Sequence, residues 1–332
     1  MKTILITGAT GFLGTHLVEQ LRESAPDARL RLMSRGASTA KCSEQIESVA
    51  GDVTASEQVH AAVEGVDEIY HLAGVVDREP ANPRFLYDAH VEGTRHVCEA
   101  ACRHGVKRMV LASSSGTVAV GHKPLTRNEE SGYATEVVAR WPYYLSKIFA
   151  EKLAFRYCEG RGLPLVVVNP SLLLGPGDFR ESSTKDMRLF LEGQIQATPS
   201  GGLNLVDVRD AAAGMRAAMK RGRVGERYLL GGPNWTFREW MDRVEALSGV
   251  RAPLLSPSLG AALVLANIAR RILPLVGQKF KLDDESIRMS ALYWFCDSTK
   301  ARTELGFETR DPMDTLRDTI DDLCRRHPEL AQ

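Results

Sequence analysis

This chain has no C-x-x-C pair. Its six cysteines, Cys42, Cys98, Cys102, Cys158, Cys296 and Cys324, are scattered. Neither a zinc site nor a disulfide framework is indicated, so no metal is expected. Cys98 and Cys102, four apart on one helical stretch, read as packed thiols. Net charge is missing too: 42 lysines and arginines balance 42 aspartates and glutamates, which removes the overall attraction that a nucleic-acid backbone exerts. There is no internal repeat and no low-complexity tract. The longest apolar run, Leu259 to Ala269, is stopped by Arg270 and Arg271, well short of the about 20 residues that cross ~30 Å of hydrocarbon. The first residues enter a strand without the charged, apolar and small-residue pattern of an export signal, so a cytoplasmic location is expected. What is present is an ordinary globular composition, 44% hydrophobic and 25% charged over 332 residues, enough for one large core or two merged ones.

The first informative feature is glycine. Lys2 to Thr7 reads as a buried strand, Gly8-Ala-Thr-Gly-Phe-Leu-Gly14 follows at once, and Leu13, Leu17, Val18 and Leu21 mark a helix. Gly8 permits the tight turn, Gly11 lets backbone approach a pyrophosphate, and Gly14 lets the helix pack close to the strand. A helix N-terminus there would hold the anion, with Thr10, Phe12 and Leu13 completing the candidate contacts. The spacing is G-x-x-G-x-x-G, one glycine displaced from the G-x-G-x-x-G fingerprint. A second strand, Leu30 to Met33, ends in Ser34 and Arg35 where an acidic residue would hold a ribose hydroxyl. An arginine there suits a 2′-phosphate, so NADP is the expected cofactor, with NAD the alternative. Asp52, next to Val53, follows a third apolar run and is a candidate for the adenine amino group. Ile69 to Gly74 is a fourth strand whose small-residue end, Leu72, Ala73 and Gly74, suits close passage of a cofactor; His71 within it reads as a packed core histidine.

About 130 residues downstream, Tyr143 and Lys147 lie four apart in Trp-Pro-Tyr-Tyr-Leu-Ser-Lys, which puts both on one helix face. A phenol of pKa about 10 is a poor acid-base catalyst at neutral pH, but a neighbouring ammonium favours its ionised form. Such a pair exchanges a proton with an alcohol or ketone. From residue 1 to about 168, β-branched runs alternate with helical patterns at Val59 to Val63, His90 to His104 and Tyr143 to Glu159. The expectation is an α/β fold with a doubly wound parallel sheet. Leu165 to Val168 would be a late strand, with ligands lying beyond it at Asn169, Pro170 and Ser171.

With these motifs in order, nearly the whole chain resembles the extended short-chain dehydrogenase/reductase superfamily, the NAD-dependent epimerase/dehydratase family. Thr7 to Gly14 looks like its cofactor turn, Val106 to Ser114 like the strand bearing its catalytic serine, and Pro142 to Glu151 like its active-site helix. Asn169 to Asp178, Val206 to Asp210 and Asp297 to Gly306 resemble further family segments. The nearest subgroup contains dihydroflavonol reductases, 3β-hydroxysteroid dehydrogenases and hopanoid-associated sugar epimerase-like proteins. The resemblance implies Tyr143 as proton donor, Lys147 on the nicotinamide ribose and Ser114 on the substrate oxygen, with Ser113 and Ser115 flanking it. Ser115 and Tyr144 are candidate substrate contacts. One departure is His90, where the family usually has asparagine in Asn-Val-x-Gly-Thr. An imidazole does not carry an amide's carbonyl and amino group together, so a helix-packing role is expected for it, with a proton relay the alternative.

Residues 1–168 are therefore expected to form the dinucleotide-binding domain. Residues 169–332 would form mainly a smaller α/β substrate lobe, with about 203–232 returning to the first domain. Leu259 to Ala269 reads as a buried or substrate-covering helix, and its rival is contact with a membrane surface. The expected activity is NADPH-dependent reduction of a ketone, or oxidation of a secondary alcohol, in a hydrophobic small molecule. A nucleotide-sugar epimerase or dehydratase is the runner-up, with Arg180, Lys185 and Arg188 available for a diphosphate. A non-catalytic cofactor-binding sensor is the alternative from another class. The expected partner is a small-molecule substrate and not nucleic acid; a peripheral membrane contact through residues 259–276 and a homodimer stay open.

Overall fold

The computed structural model describes residues 1–36, 44–77, 82–272 and 283–330; Cys42 and residues 273–276 of the apolar segment lie outside them. The chain opens with β1 (Thr3–Thr7), α1 (Phe12–Ser24), β2 (Arg29–Ser34), β3 (Ile46–Ala50), α2 (Ser56–Val63) and β4 (Glu68–His71). The short helix α3 (Arg84–Tyr87) leads through a π-helical turn, Asp88–Glu92, into α4 (Gly93–His104), followed by β5 (Arg108–Ala112), α5 (Pro142–Arg161) and β6 (Leu165–Pro170). Then come β7 (Leu172–Leu174), α6 (Lys185–Leu191), β8 (Gly202–Asp207), α7 (Val208–Arg221), β9 (Arg227–Leu230), β10 (Asn234–Thr236) and α8 (Phe237–Ser248). The last helices are α9 (Leu259–Ile272), α10 (Asp284–Ser290) and α11 (Pro312–Arg326).

Seven strands form one parallel sheet in the order β3-β2-β1-β4-β5-β6-β9. Successive side chains of a strand face opposite ways, so Ile4 and Ile6 enter the layer under α1 and α7 while Leu5 enters the layer under α2, α4 and α5. This is the expected doubly wound sheet. The strand order reverses between β1 and β4, and a ligand crevice opens there beyond the carboxyl ends of the strands.

A smaller mixed sheet, β10-β8-β7, pairs β8 antiparallel with β10 and parallel with β7. It packs Leu174, Leu203 and Leu205 against Phe190, Trp240, Leu316 and Ile320. Within 203–232, α7 and β9 lie with the large sheet and β8 with the small one. The expectation of a buried helix at Leu259 to Ala269 is corrected. In α9 only Ala266 is buried, whereas Val264, Leu265, Ile268 and Ile272 are exposed, because the helix packs on α10 and its apolar face exceeds that contact. Among the described residues no helix is long and apolar enough to cross a membrane.

Candidate active site and cofactor cradle

The glycine turn closes on the end of β4. Gly8 has φ +72°, and a Cβ there would come within 2.7 Å of the Ala73 nitrogen and the Leu72 carbonyl carbon. A Cβ on Gly14 would strike the Gly8 carbonyl oxygen and approach the Ala9 Cα at 2.9 Å. Both positions therefore exclude side chains on steric grounds alone. Gly11 is under less pressure, its virtual Cβ meeting only the Gly8 oxygen at 3.2 Å, and it caps α1 without any side-chain bond to the first-turn N–H groups. Thr10 is exposed, Phe12 is partly buried and the Leu13 side chain packs in the core, so backbone is what Leu13 offers to a ligand.

The other expected cofactor residues line the same sheet edge. Arg35 stands exposed just past β2. Asp52 follows β3, and its Oδ1 accepts from the Thr54 N–H at 2.9 Å and the Thr54 hydroxyl at 2.8 Å. That oxygen thus closes its own turn. Val53 is buried, its carbonyl accepting from His96 Nδ1 at 2.9 Å. Leu72 and Ala73 are tied to β1 through Leu72 N–H to the Thr7 carbonyl, 3.1 Å, and Ala73 N–H to Thr7 Oγ1, 3.2 Å. Pro170 ends β6, and Ser171 is buried with its N–H on the Leu230 carbonyl.

Helix α5 begins with Pro142 at its first position, where the missing N–H costs nothing. Tyr143, Lys147 and Glu151 then fall one turn apart and bring the helix onto the end of β5. Lys147 Nζ donates to the Ala112 carbonyl at 3.2 Å. Burial pulls its ammonium down to about 8, with Glu151 opposing. Two residues past Ala112, Ser114 holds an extended conformation, and its Oγ accepts from the Gly116 N–H at 3.3 Å. The Ser114 carbonyl is gripped by Thr117 Oγ1 at 2.9 Å and Asn169 Nδ2 at 3.1 Å. The fully buried Glu151 takes a bond from each of those groups, at 3.0 Å and 2.5 Å, and pairs with Arg227 at 3.4 Å. Glu151, Thr117 and Asn169 thus fix the loop that carries Ser114. Sequence reasoning missed this network, although Glu151 sits one turn beyond Lys147 on the same face.

The three serines differ in setting. Ser115 is buried, Ser114 is partly exposed, and Ser113 lines a small enclosed pocket with Ala73, His90, Thr94 and Lys147. Tyr144 stacks at 31° on Trp294, ring centroids 4.7 Å apart, and meets Tyr143 edge-on at 5.0 Å. Gly116 lies beneath, where a Cβ would strike the Tyr144 ring and reach Trp294 at 2.9 Å. Trp294 comes from beyond α10 and bore no local sign of a place in the site.

The two histidines of the site are neutral spacers. His71 is held between Thr7 Oγ1, 2.7 Å, and Thr94 Oγ1, 3.2 Å, and burial with the nearby Lys147 charge lowers it to about 3. That agrees with a packed core histidine. His90 is packed against α5, and the structure adds two hydrogen bonds to that packing. Its Nε2 accepts from the Val75 N–H at 3.0 Å and its Nδ1 meets Ser146 Oγ at 2.8 Å. A neutral imidazole carries one acceptor and one donor, and its partners here are one backbone N–H, of Val75, and one side-chain hydroxyl, of Ser146.

A doubly wound sheet with a glycine cradle at its switch point and a Ser-Tyr-Lys edge defines a dinucleotide-binding enzyme. Residues 4–231 match the NAD dependent epimerase/dehydratase family, and the chain belongs to that family. It is an NAD(P)-dependent enzyme of the extended short-chain dehydrogenase/reductase type. It is 30% identical to a Synechocystis protein provisionally named dihydroflavonol 4-reductase, over 95% of this chain and 92% of that one. To the sterol demethylase protein B of Methylococcus capsulatus it is 33% identical, over 92% and 93%. Human 3 beta-hydroxysteroid dehydrogenase type 7 matches at 35% over 52% of this chain and 50% of its own. Among solved structures, gox2253 superposes with a TM-score of 0.85 at 30% identity, covering 98% of this chain and 99% of that one. The dTDP-glucose 4,6-dehydratase of Bacillus anthracis, in complex with NAD, shares the fold at a TM-score of 0.76 and 19% identity, covering 99% and 98%.

Proposed function

We propose that this protein is an NADPH-dependent oxidoreductase that reduces a ketone, or oxidises a secondary alcohol, of a hydrophobic small molecule, with Tyr143 as the proton donor. The observation that carries the reading is the edge where Lys147 is pinned to the end of β5 beside Ser114, one helical turn from Tyr143. The cofactor fits this chain: Gly8 and Gly14 let the turn close so tightly that a Cβ at either would strike backbone, and the first turn of α1 keeps its N–H groups uncapped by side chains. When bound, the nicotinamide supplies or accepts the hydride. Ser114 would hold the substrate oxygen, and Tyr143 would give or take the proton at that oxygen. Lys147, ammonium below about pH 8, would favour the ionised phenol and hold the ribose. Arg35, exposed past β2, would take the 2′-phosphate.

Tyr144 and Trp294 make an apolar wall beside Tyr143, which supports a ring-bearing, greasy substrate, as do relatives named for a dihydroflavonol and a 3 beta-hydroxysteroid. The runner-up, a nucleotide-sugar epimerase or dehydratase, rests on the family description. It would need cations for a diphosphate, and Arg188 is already engaged by Glu181 at 2.6 Å and by Glu192, leaving Arg180 and Lys185. The deciding experiment follows NADPH and NADH oxidation against a panel of apolar ketones, and assays UDP-sugar conversion in parallel. Conversion of a UDP-sugar with no ketone turnover would overturn the reading in favour of the epimerase.

A further inference from the structure

His90 occupies the π-helical turn Asp88–Glu92 between α3 and α4, an irregularity that re-aims a side chain relative to a continuous helix and recurs at functional sites. The ring is buried. It hydrogen-bonds two segments at once: the stretch just beyond β4 and the first turns of α5. The protons along this contact have a single consistent order. The Val75 N–H can only donate, so Nε2 must be the acceptor and the ring proton sits on Nδ1. Nδ1–H then donates to Ser146 Oγ, and the Ser146 hydroxyl donates onward to the Tyr143 carbonyl at 2.7 Å. The chain ends on the backbone of Tyr143 and not on its phenol, so it carries position and no proton. Its titratable neighbours are Lys147, His71 and Tyr143, whose ring lies edge-on at 5.7 Å.

Gly74 makes the fit close. A Cβ there would stand 2.9 Å from His90 Nε2 and 3.4 Å from Lys147 Nζ, so the imidazole, the ammonium and the Gly74 backbone share one packed corner. We propose that His90 is a positioning residue: through the chain Val75 N–H to His90 to Ser146 to the Tyr143 carbonyl it sets the distance between the Gly74–Val75 stretch and the start of α5. The role rests on the reading of Tyr143 and Lys147 given under Proposed function, in which the cofactor passes Gly74 and the proton donor stands on α5. A displacement of about 1 Å between reacting groups costs on the order of 10²-fold in rate, so a part that only sets spacing acts on turnover more than on binding.

His90→Phe keeps a ring of similar size and removes both hydrogen bonds; Ser146→Ala cuts one arm from the other side. The expected result is a fall in kcat of at least ~10-fold for folded His90→Phe, with the NADPH Kd and the substrate KM each within ~3-fold of wild type. Combining it with Ser146→Ala should cost clearly less than the product of the single losses. If His90→Phe does not fold, His90→Gln, which offers an amide oxygen near the Nε2 position and nothing at Nδ1, is read by the same criteria. Independently of any substrate, 15N-histidine spectra of the wild-type protein, assigned by the signal lost in His90→Gln, should show a neutral Nδ1–H tautomer at pH 6. Unchanged kcat in the folded variant, full additivity with Ser146→Ala, or an Nε2–H tautomer would each overturn the proposal. Should no ketone be turned over at all, the functional reading fails while the tautomer still decides the hydrogen-bond chain.

Discussion

Replacing Tyr143 by phenylalanine removes one oxygen from a helix face whose other residues stay in place. Turnover of Tyr143→Phe is therefore expected to fall at least ~100-fold with cofactor binding retained, since a positioned acid-base group contributes 10² to 10⁴; steady-state rates beside an NADPH titration check it. Lys147 has a signed dependence. Its ammonium persists below about pH 8 and is lost above, so the support it lends the phenolate is present below that value and fades as pH rises through it. The rate profile of the wild type should break near pH 8, and that of the slower Lys147→Met should lack the break. At Arg35 the discrimination is chemical: a guanidinium fork binds a phosphate and gains little from a neutral ribose. Arg35→Ala should weaken NADPH by about 1.5 to 3 kcal/mol and spare NADH, as two dissociation constants would show. Tyr143 and Lys147 could be singled out because their spacing is local, and Ser114 through the family resemblance of its strand. Glu151, Ser146 and Trp294 could not, because the place of each rests on a partner distant in the chain.

At the scale of elements, the helices and strands around the cradle emerged close to where periodicity put them. Alternation over β1 and the 3.6-residue pattern of α1 are imposed by what each must bury. Helix α9 departed from expectation because apolarity alone does not say which face is covered. Its outer face, with Val264, Leu265 and Ile268 exposed, is where the rival reading of this segment, contact with a membrane surface, would act, as a helix with one apolar face can lie in a bilayer surface. Leu265→Asp with Ile268→Asp should shift the protein from vesicle pellet to supernatant. Thermal stability should stay near wild type, because neither side chain leaves a packed core. Equal sedimentation of variant and wild type would remove the contact.

For the whole molecule, two of the buried histidines, His71 and His90, shape the response to mild acid. Burial holds His71 at about 3 and His90 well below the ordinary imidazole value, while an unfolded histidine titrates near 6.5. Above that pH both states are neutral there and nothing changes. As pH falls below it the unfolded chain takes up protons that the folded chain refuses, so stability drops by up to about 1.4 kcal/mol per pH unit for each histidine until the folded value is reached. Urea midpoints should begin to fall near pH 6.5, before the carboxylates titrate, and His71→Gln should flatten that first limb. The sequence by itself determined the doubly wound parallel sheet and the strand-turn-helix at Gly8 to Gly14, and it put Tyr143 and Lys147 on one helix face, because strand alternation, the close contact of Gly14 with Gly8 and Ala9, and the four-residue helical repeat act between near neighbours. Only the tertiary structure decided which way α9 faces, that Trp294 meets Tyr144, and that His90 joins Val75 to Ser146. Those depend on segments far apart in sequence, packed by a core whose geometry no local pattern encodes.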